Sequence, residues 1–219
     1  MVQRTEGESL LSFAFVGGYA KISHRLSGCF SGLSMESDID ADASVEWTKA
    51  TYSFCPKCGG ALCQRSMKSG EPDRLVCLSC QFIFFLDPKV AVGTIIAHDG
   101  GIVLVKRAIE PAYGKWVFPG GFVDRGERVE EAAIRETREE SCLDVRISRL
   151  LNVYSYTDHP VIIIVYIGEI IGGQAAAGDE TQEIGIFPPA DLPWDELAFP
   201  STAEALREYL ATMQPRNIP

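Results

Sequence analysis

The sequence lacks the features that would place the protein in a membrane or on a nucleic acid. No apolar run approaches the roughly 20 residues that a membrane-spanning helix needs. Basic charge is also scarce, since 20 Lys and Arg stand against 30 Asp and Glu and give a formal net charge of −10. General binding to nucleic acid or to an anionic membrane is therefore not expected. The 219 residues have room for one ordinary domain and a small second one.

The segment Arg128 to Ser141 is rich in helix-forming residues and contains no Gly or Pro, which predicts a helix. Residues three and four apart share one face of a helix, so Glu136, Glu139 and Glu140 project together. Like charges at this spacing repel one another, and a divalent cation would convert the repulsion into binding. Carboxylate oxygens suit Mg²⁺ or Mn²⁺. A solvated acidic helix face is the alternative interpretation.

These glutamates belong to a longer pattern, GFVDRGERVEEAAIRETREESCL, which runs from Gly121 to Leu143. The pattern resembles the signature of the Nudix hydrolases, G-x5-E-x7-R-E-U-x-E-E-x-G-U, in which U is a bulky aliphatic residue. The matching residues are Gly121, Glu127, Arg135, Glu136, Glu139 and Glu140. Just upstream, Trp116–Phe118 reads as a short strand and is followed by Pro-Gly-Gly, which lets the backbone approach a ligand closely.

The resemblance implies a role for each matching residue. Glu136, Glu139 and Glu140 would bind Mg²⁺ or Mn²⁺ together with the carbonyl of Gly120, and Gly120 and Gly121 would hold the pyrophosphate. Arg135 would orient the glutamates, and Glu127 would act as an outer ligand or orienter. The general base varies among Nudix families. We expect it in the loop Gly178–Glu183, with Glu183 ahead of Glu180, although either could be a plain surface charge.

Two positions depart from the signature, because Thr137 replaces the aliphatic residue and Cys142 replaces the glycine after the helix. A glycine there usually adopts a left-handed conformation, which costs another residue about 1 kcal/mol. We expect both departures to affect packing rather than activity, with Cys142 a buried structural residue rather than a reactive thiol.

Two further residues are candidates for substrate binding. Arg107 follows a predicted strand and could contact phosphate, with an exposed salt bridge as the alternative. Trp116 could stack on a base or flavin ring, as could Tyr113 and Phe84, but a place in the core is the alternative for each.

A second motif consists of two C-x-x-C pairs separated by 18 residues, formed by Cys55, Cys58, Cys77 and Cys80. This spacing predicts a tetrahedral zinc site, with two disulfides as the alternative in an oxidising compartment. Four cysteines leave no open coordination position, so the Zn²⁺ should be structural. With hairpin strands predicted at residues 61–64, 74–76 and 81–85, the segment resembles a zinc ribbon. Cys29 and Cys63 fall outside the pattern and are expected to be free thiols.

The ribbon could read nucleic acid, but its net charge of +2 over residues 51–86 is weak support. A scaffold or dimer-forming role is favoured, so a homodimer is a candidate assembly.

The remaining pattern predicts a mixed sheet. Val90–Ala97 and Ile102–Lys106 alternate across a Gly-containing turn, and residues 147–156 pair with residues 161–171. A last helix is expected over Ser201–Met213, with Ser201 as N-cap and Glu204 completing a capping box. The predicted fold class is α/β, and the Nudix resemblance implies an α/β/α sandwich preceded by the ribbon.

The predicted domains are residues 1–50 as a disordered extension, 51–86 as the ribbon and 87–214 as the Nudix domain. Residues 1–34 could precede a true start at Met35 or include a targeting peptide. The intact cysteine pairs favour a reducing interior, so a cytoplasmic location is expected.

A zinc ribbon before a Nudix domain, together with the runs DPKVAVG and KRAIEP, resembles family members that hydrolyse ADP-ribose or FAD. NADH pyrophosphatases also carry a ribbon, but their SQPWPFPxS array is absent between Leu143 and Ile171. NADH, oxidised nucleoside triphosphates and a catalytically silent ligand sensor remain the alternatives. The substrate is a small nucleotide in every case except a sensor.

Overall fold

The computed structural model describes residues 52–157 and 159–213. The first sheet is a small antiparallel ribbon of three strands, β1 (Leu62–Arg65), β2 (Arg74–Cys77) and β3 (Ile83–Phe84), in the order β1-β2-β3. Its turns bring the two cysteine pairs to one end of the hairpin. The predicted ribbon is confirmed.

The second sheet has seven strands: β4 (Lys89–His98), β5 (Gly101–Arg107), β6 (Trp116–Val117), β7 (Gly120–Phe122), β8 (Leu143–Tyr154), β9 (Val161–Gly173) and β10 (Thr181–Phe187). The main order is β10-β5-β4-β9-β8, with β6 paired to β5 and β7 paired to β4. Strands β4 and β9 run parallel, whereas the other pairs are antiparallel. The sheet is therefore mixed, as predicted.

The two helices, α1 (Val129–Ser141) and α2 (Pro200–Met213), pack against the sheet through separate hydrophobic clusters. Ile95 of β4 belongs to the cluster that includes Leu206 of α2, whereas Val92 belongs to the cluster that includes Ala132 of α1. Because side chains alternate along a strand, this odd and even division places α1 and α2 on opposite faces. The result is the α/β/α sandwich that the resemblance implied.

Three sequence predictions about local structure were wrong. Helix α2 begins at Pro200, one residue before the predicted N-cap Ser201, because proline fits the first helical position and needs no N–H acceptor there. The N–H groups of Thr202 and Ala203 bond to the carbonyl of Phe199 instead. Residues 181–183 begin strand β10 rather than lying in a loop. The third error concerns Cys142, which is exposed.

The ribbon and the larger sheet are joined by the short segment between Phe84 and Lys89, so the predicted boundary at residues 86–87 falls between β3 and β4. The prediction for residues 1–50 lies outside the described residues, and the domain assignment stays a prediction. No helix within the described part of the chain is both long and apolar enough to cross a membrane.

Candidate active site

Two glycines allow the loop before α1 to lie directly on β4 and on the helix. Gly120 pairs with Gly93 of β4, and a Cβ atom at Gly120 would collide with the carbonyl oxygen of Val92. A Cβ atom at Gly121 would collide with the carboxylate of Glu136. The Pro-Gly-Gly segment is therefore needed to hold the backbone next to the acidic face of the helix.

Arg135 lies at the centre of a cluster of three carboxylates. Its Nε and Nη2 donate to the two oxygens of Glu127 at 2.8 and 2.9 Å, in the bidentate geometry that arginine favours. Its Nη1 donates to Glu136 Oε1 at 2.7 Å and to Glu139 Oε2 at 3.0 Å. These bonds hold the pKa of Glu127 down at about 2 and raise that of Arg135. This geometry suits the orienting roles that the resemblance implies for Arg135 and Glu127, which stay predictions.

Glu140 is the most buried of the glutamates, with 7 % of its surface exposed. Its Oε2 accepts a hydrogen bond of 2.9 Å from the N–H of Gly120. Burial raises the pKa of Glu140 to about 7; the Gly120 bond opposes the shift, and the charge of Glu136 adds to it. Burial also raises the pKa of Glu136, against the opposing effect of Arg135.

The donor set fits a hard divalent cation. Glu136 and Glu140 are desolvated. The charge of Glu139 raises the pKa of Glu136, and the charge of Glu136 raises the pKa of Glu140, so a cation bound among these carboxylates would relieve their repulsion. All available donors are carboxylate or carbonyl oxygens, which suit Mg²⁺ and Mn²⁺ better than softer metals. Glu136, Glu139, Glu140 and the Gly120 carbonyl are the residues that could hold such an ion.

The two candidate bases lie in different surroundings. Glu183 is in β10, where its Oε2 is 3.6 Å from Lys106 Nζ and its side chain is 60 % exposed. Glu180 precedes β10, and its charge raises the pKa of both Glu136 and Glu140. The sequence ranked Glu183 first, but only Glu180 of the two acts on the pKa of these glutamates, and the loop that carries it is bonded to α1 through the N–H of Gly178 and the carbonyl of Glu140.

Arg107 is half-buried at the edge of the same site. Its Nε donates to the carbonyl of Pro111 at 2.9 Å, and its guanidinium lies 5.2 Å from the ring centre of Phe199. Burial lowers its pKa, while the charges of Glu140 and Glu180 raise it. A desolvated guanidinium next to these carboxylates is suited to bind phosphate oxygens, and phosphate contact by Arg107 stays a prediction.

Trp116 does not offer its ring to a ligand. It is 6 % exposed and packs edge-on against Phe187, with ring centres 4.9 Å apart. The structure therefore contradicts the predicted stacking role and places Trp116 in the core. Among the other aromatic candidates, Phe84 packs against Tyr52, whereas Tyr113 is 61 % exposed and remains available for stacking.

The two departures from the signature have different consequences. Thr137 is fully buried, and its hydroxyl donates to the carbonyl of Ala133 at 2.7 Å, so it satisfies its own polar group within the helix. Thr94 of β4 donates to the same carbonyl at 3.4 Å, a link that no sequence signal indicated. Cys142 adopts the left-handed conformation expected of the missing glycine, with φ 57° and ψ 16°.

A polar cavity of about 380 Å³ lies between the end of β8 and helix α2. Tyr154 Oη and Asn152 Nδ2 each donate to Glu208 Oε2 at 2.8 Å, and Tyr156 and Glu204 line the same space. Sequence reasoning missed it, because 54 residues separate Tyr154 from Glu208 and only the packing of α2 brings them together. The cavity is rich in acceptors for N–H groups.

The ribbon brings its four cysteines together as predicted, with all four Sγ atoms within 4.8 Å of one another. The Sγ–Sγ distances are 3.8 Å for Cys55–Cys80 and 3.5 Å for Cys58–Cys77. A disulfide needs about 2.05 Å, whereas Zn–S bonds of about 2.3 Å in a tetrahedron separate the sulfurs by about 3.8 Å. The arrangement therefore fits a four-thiolate zinc site and not two disulfides.

Comparison with known proteins agrees with both motifs. The model of the NUDIX domain matches residues 87–210, and a model of the zinc ribbon described as Nudix N-terminal matches residues 53–85. An ADP-ribose pyrophosphatase from Methanocaldococcus jannaschii is 44% identical over 134 residues, which cover 59% of this chain and 78% of that protein.

Solved structures give the same result. The chain superimposes on a NUDIX hydrolase from Nitrosomonas europaea with a TM-score of 0.70 and 31% identity, covering 74% of this chain and 92% of that one. An ADP-ribose pyrophosphatase from Streptococcus suis matches with a TM-score of 0.51 and 27% identity, covering 60% and 96% of the two chains. The resemblance drawn from the residues is confirmed: this chain belongs to the Nudix hydrolase family and is an enzyme of the pyrophosphatase type with a zinc ribbon before its catalytic domain.

Proposed function

We propose that this protein hydrolyses the pyrophosphate bond of a nucleoside diphosphate linked to a second group, with ADP-ribose as the favoured substrate and FAD as the nearest competitor. The observation that carries the proposal is the set of desolvated carboxylates on α1, held against the backbone of Gly120 and Gly121. The identity of 44% with an ADP-ribose pyrophosphatase supports ADP-ribose over the alternatives.

The proposed mechanism assigns a task to each group. Glu136, Glu139 and Glu140 would hold Mg²⁺ or Mn²⁺, and the ion would supply polarisation of a phosphoryl group and a lowered pKa of water. Arg107 contacts a phosphate oxygen and offsets its charge. Arg135 and Glu127 keep the ligand carboxylates in place through the bonds described above.

Glu180 is the proposed general base, in place of Glu183. It takes one proton from the attacking water, the new P–O bond forms, and the bridging P–O bond breaks to release a monophosphate on each side. The location of Glu180 near Glu136 and Glu140 supports this role, whereas Glu183 is paired with Lys106.

The substrate assignment is tested by incubating the full chain and Mg²⁺ or Mn²⁺ with ADP-ribose, FAD, NADH and an oxidised dGTP. We expect ADP-ribose to give AMP and ribose 5-phosphate, with one oxygen atom from ¹⁸O-labelled water in one product. Preferred cleavage of FAD or NADH would replace ADP-ribose as the proposed substrate but leave the proposed reaction unchanged. Release of pyrophosphate from the triphosphate would favour nucleotide sanitation, and binding without turnover would favour a sensor.

Replacing Glu180 by Gln is expected to lower kcat by about 10²- to 10⁴-fold, the usual contribution of a general base. KM should change little, because the substitution keeps the shape of the side chain. Glu183→Gln is the matched control and should stay within about threefold of the wild type, since an exposed ion pair is worth little. The opposite ranking of the two variants would restore Glu183 as the base.

A further inference from the structure

The loop of residues 174–180, which joins β9 to β10, is fixed to the end of the catalytic helix by its backbone. The N–H of Gly178 donates to the carbonyl of Glu140 at 3.1 Å, and the N–H of Ala176 donates to the carbonyl of Ser141 at 3.0 Å. The last carbonyls of a helix have no partner within the helix and need an external donor. The loop supplies two such donors to α1.

Gly178 makes the closest approach of this loop to α1. A Cβ atom at this position would overlap the carbonyl oxygen of Glu139, and it would lie 2.8 Å from the carbonyl carbon of Glu139 and 3.1 Å from Cα of Glu140. All three are backbone atoms of the helix, which cannot move aside as a flexible side chain can. The backbone at Gly178 is not among the positive-φ positions, so contact with α1 is what requires glycine here.

The opposite end of the loop is also tied down. The carbonyl of Glu180 accepts a hydrogen bond of 2.9 Å from the N–H of Ala108, directly after β5. The N–H of Thr181 donates to the carbonyl of Gly178 at 3.2 Å, which makes a tight turn across Asp179 and Glu180. Glu180 is therefore held between the end of α1 and the end of β5.

From this geometry we infer that Gly178 is a positioning residue, whose lack of a side chain lets the loop dock on Glu139 and Glu140 and thereby sets where the Glu180 carboxylate stands. The inference rests on the proposed function of Glu180 as general base. It assigns to Gly178 no contact with substrate or metal. The signature motif does not include this glycine, which lies 37 residues after Ser141, the last residue of the helix it contacts.

Gly178→Ala tests the inference. The added methyl group must push the loop away from α1, so we expect kcat to fall about 10- to 100-fold, as for a catalytic group displaced by about 1 Å. KM and the affinity for Mn²⁺, measured by calorimetry on the full chain, should change less than about twofold. Amide hydrogen exchange at Ala176 and Gly178 should rise about tenfold, because both donors lose their acceptors.

Gly172→Ala is the matched control. Gly172 also lies near the end of β9, but its Cβ atom would meet only the side chain of Asp144, at 3.3 Å. We expect Gly172→Ala to keep the kcat of the wild type. Ala176→Pro is a second variant, since it removes the donor to the Ser141 carbonyl and puts a ring carbon where that N–H pointed, which loosens the loop from α1 while Gly178 is kept. It should lower kcat in the same direction if Gly178→Ala does not fold.

A double-mutant cycle separates the two proposals. If Gly178 acts through Glu180, adding Gly178→Ala to Glu180→Gln should change kcat by less than about twofold. If the kcat losses of the two single variants multiply in the double variant, Gly178 does not act through Glu180 and the positioning role is overturned. A loss of Mn²⁺ affinity in Gly178→Ala would overturn it as well. Neither result would contradict the proposed reaction. Wild-type turnover by Glu180→Gln would instead overturn the base assignment, whatever the exchange rates of the loop.

Discussion

Replacing Glu140 by Gln is expected to lower kcat about a thousandfold and to make the metal-free protein more stable. A group that holds the catalytic ion contributes several kcal/mol to stabilising charge in the transition state, and about 1.4 kcal/mol corresponds to a tenfold change in rate. Glutamine keeps an acceptor for the N–H of Gly120, so the fold is preserved. Kinetics with saturating Mg²⁺ or Mn²⁺ measure the loss.

The gain in stability follows from the raised pKa of Glu140. Its pKa is about 7 in the folded metal-free protein and starts from a reference value of 4.5, so the folded state binds the proton more tightly. Stability therefore falls as the pH rises from about 4.5 through about 7, where burial opposes ionisation. Glutamine carries no charge, so the melting temperature of the Glu140→Gln variant at pH 8 without metal should exceed that of the wild type.

Opposite effects on activity and stability distinguish a functional carboxylate from a structural one. Glu131→Gln is the control, because Glu131 is exposed on the same helix and lies on the side opposite Glu140. It should retain wild-type kcat within about twofold and show no gain in melting temperature. A Glu140→Gln variant that keeps more than a tenth of wild-type kcat would exclude Glu140 as a metal ligand.

The acidic helix was predictable because its chemistry is local in sequence. Glu136, Glu139 and Glu140 share one helix turn, and a rotation of about 100° per residue is enough to align them. The helix observed from Val129 to Ser141 differs from the prediction by one residue. The zinc site of the four cysteines was equally predictable, since the geometry of the metal sets the spacing within each cysteine pair.

The rest of the site depends on contacts between distant segments. The pairing of Thr181 with Arg107 begins strand β10 and leaves Glu180 beside α1, and a register shift between Thr181 and Glu183 then turns Glu183 toward Lys106. No local pattern in TQEIGIF reports this register. Trp116 was ambiguous for the same reason, because the packing of Phe187 decides whether its ring is free.

Removal of zinc is expected to unfold the ribbon while the catalytic domain stays folded. Within residues 52–86, the buried apolar residues are Cys55, Leu75, Val76 and Cys77, and two of these four are cysteines of the metal site. Such a segment cannot support itself by hydrophobic burial. Structural zinc contributes an apparent 10–16 kcal/mol or so in small zinc domains, so its loss outweighs everything else that holds the ribbon.

Cys77→Ser is the variant that tests this, because Cys77 is fully buried at the centre of the site. We expect zinc content to fall from about one to near zero per chain, and amide protection to disappear in β1, β2 and β3. Protection in β4 and β9 should persist, since the clusters that pack on the main sheet contain no ribbon residue. Elemental analysis and hydrogen exchange on the same sample measure both effects.

The matched control and the kinetics decide between a structural and a catalytic ion. Cys63 lies in the same ribbon but outside the four-thiol site, and its Sγ is 3.5 Å from the carbonyl oxygen of Val76. The Cys63→Ser variant should therefore keep its full zinc content. Since four thiols leave no coordination position for water or substrate, Cys77→Ser should keep kcat within about threefold when Mg²⁺ is supplied. If Cys77→Ser lost as much kcat as Glu140→Gln, the ribbon would take part in forming the active site. If the amides of β1–β3 stayed protected from exchange without zinc, the ribbon would fold by its side chains alone.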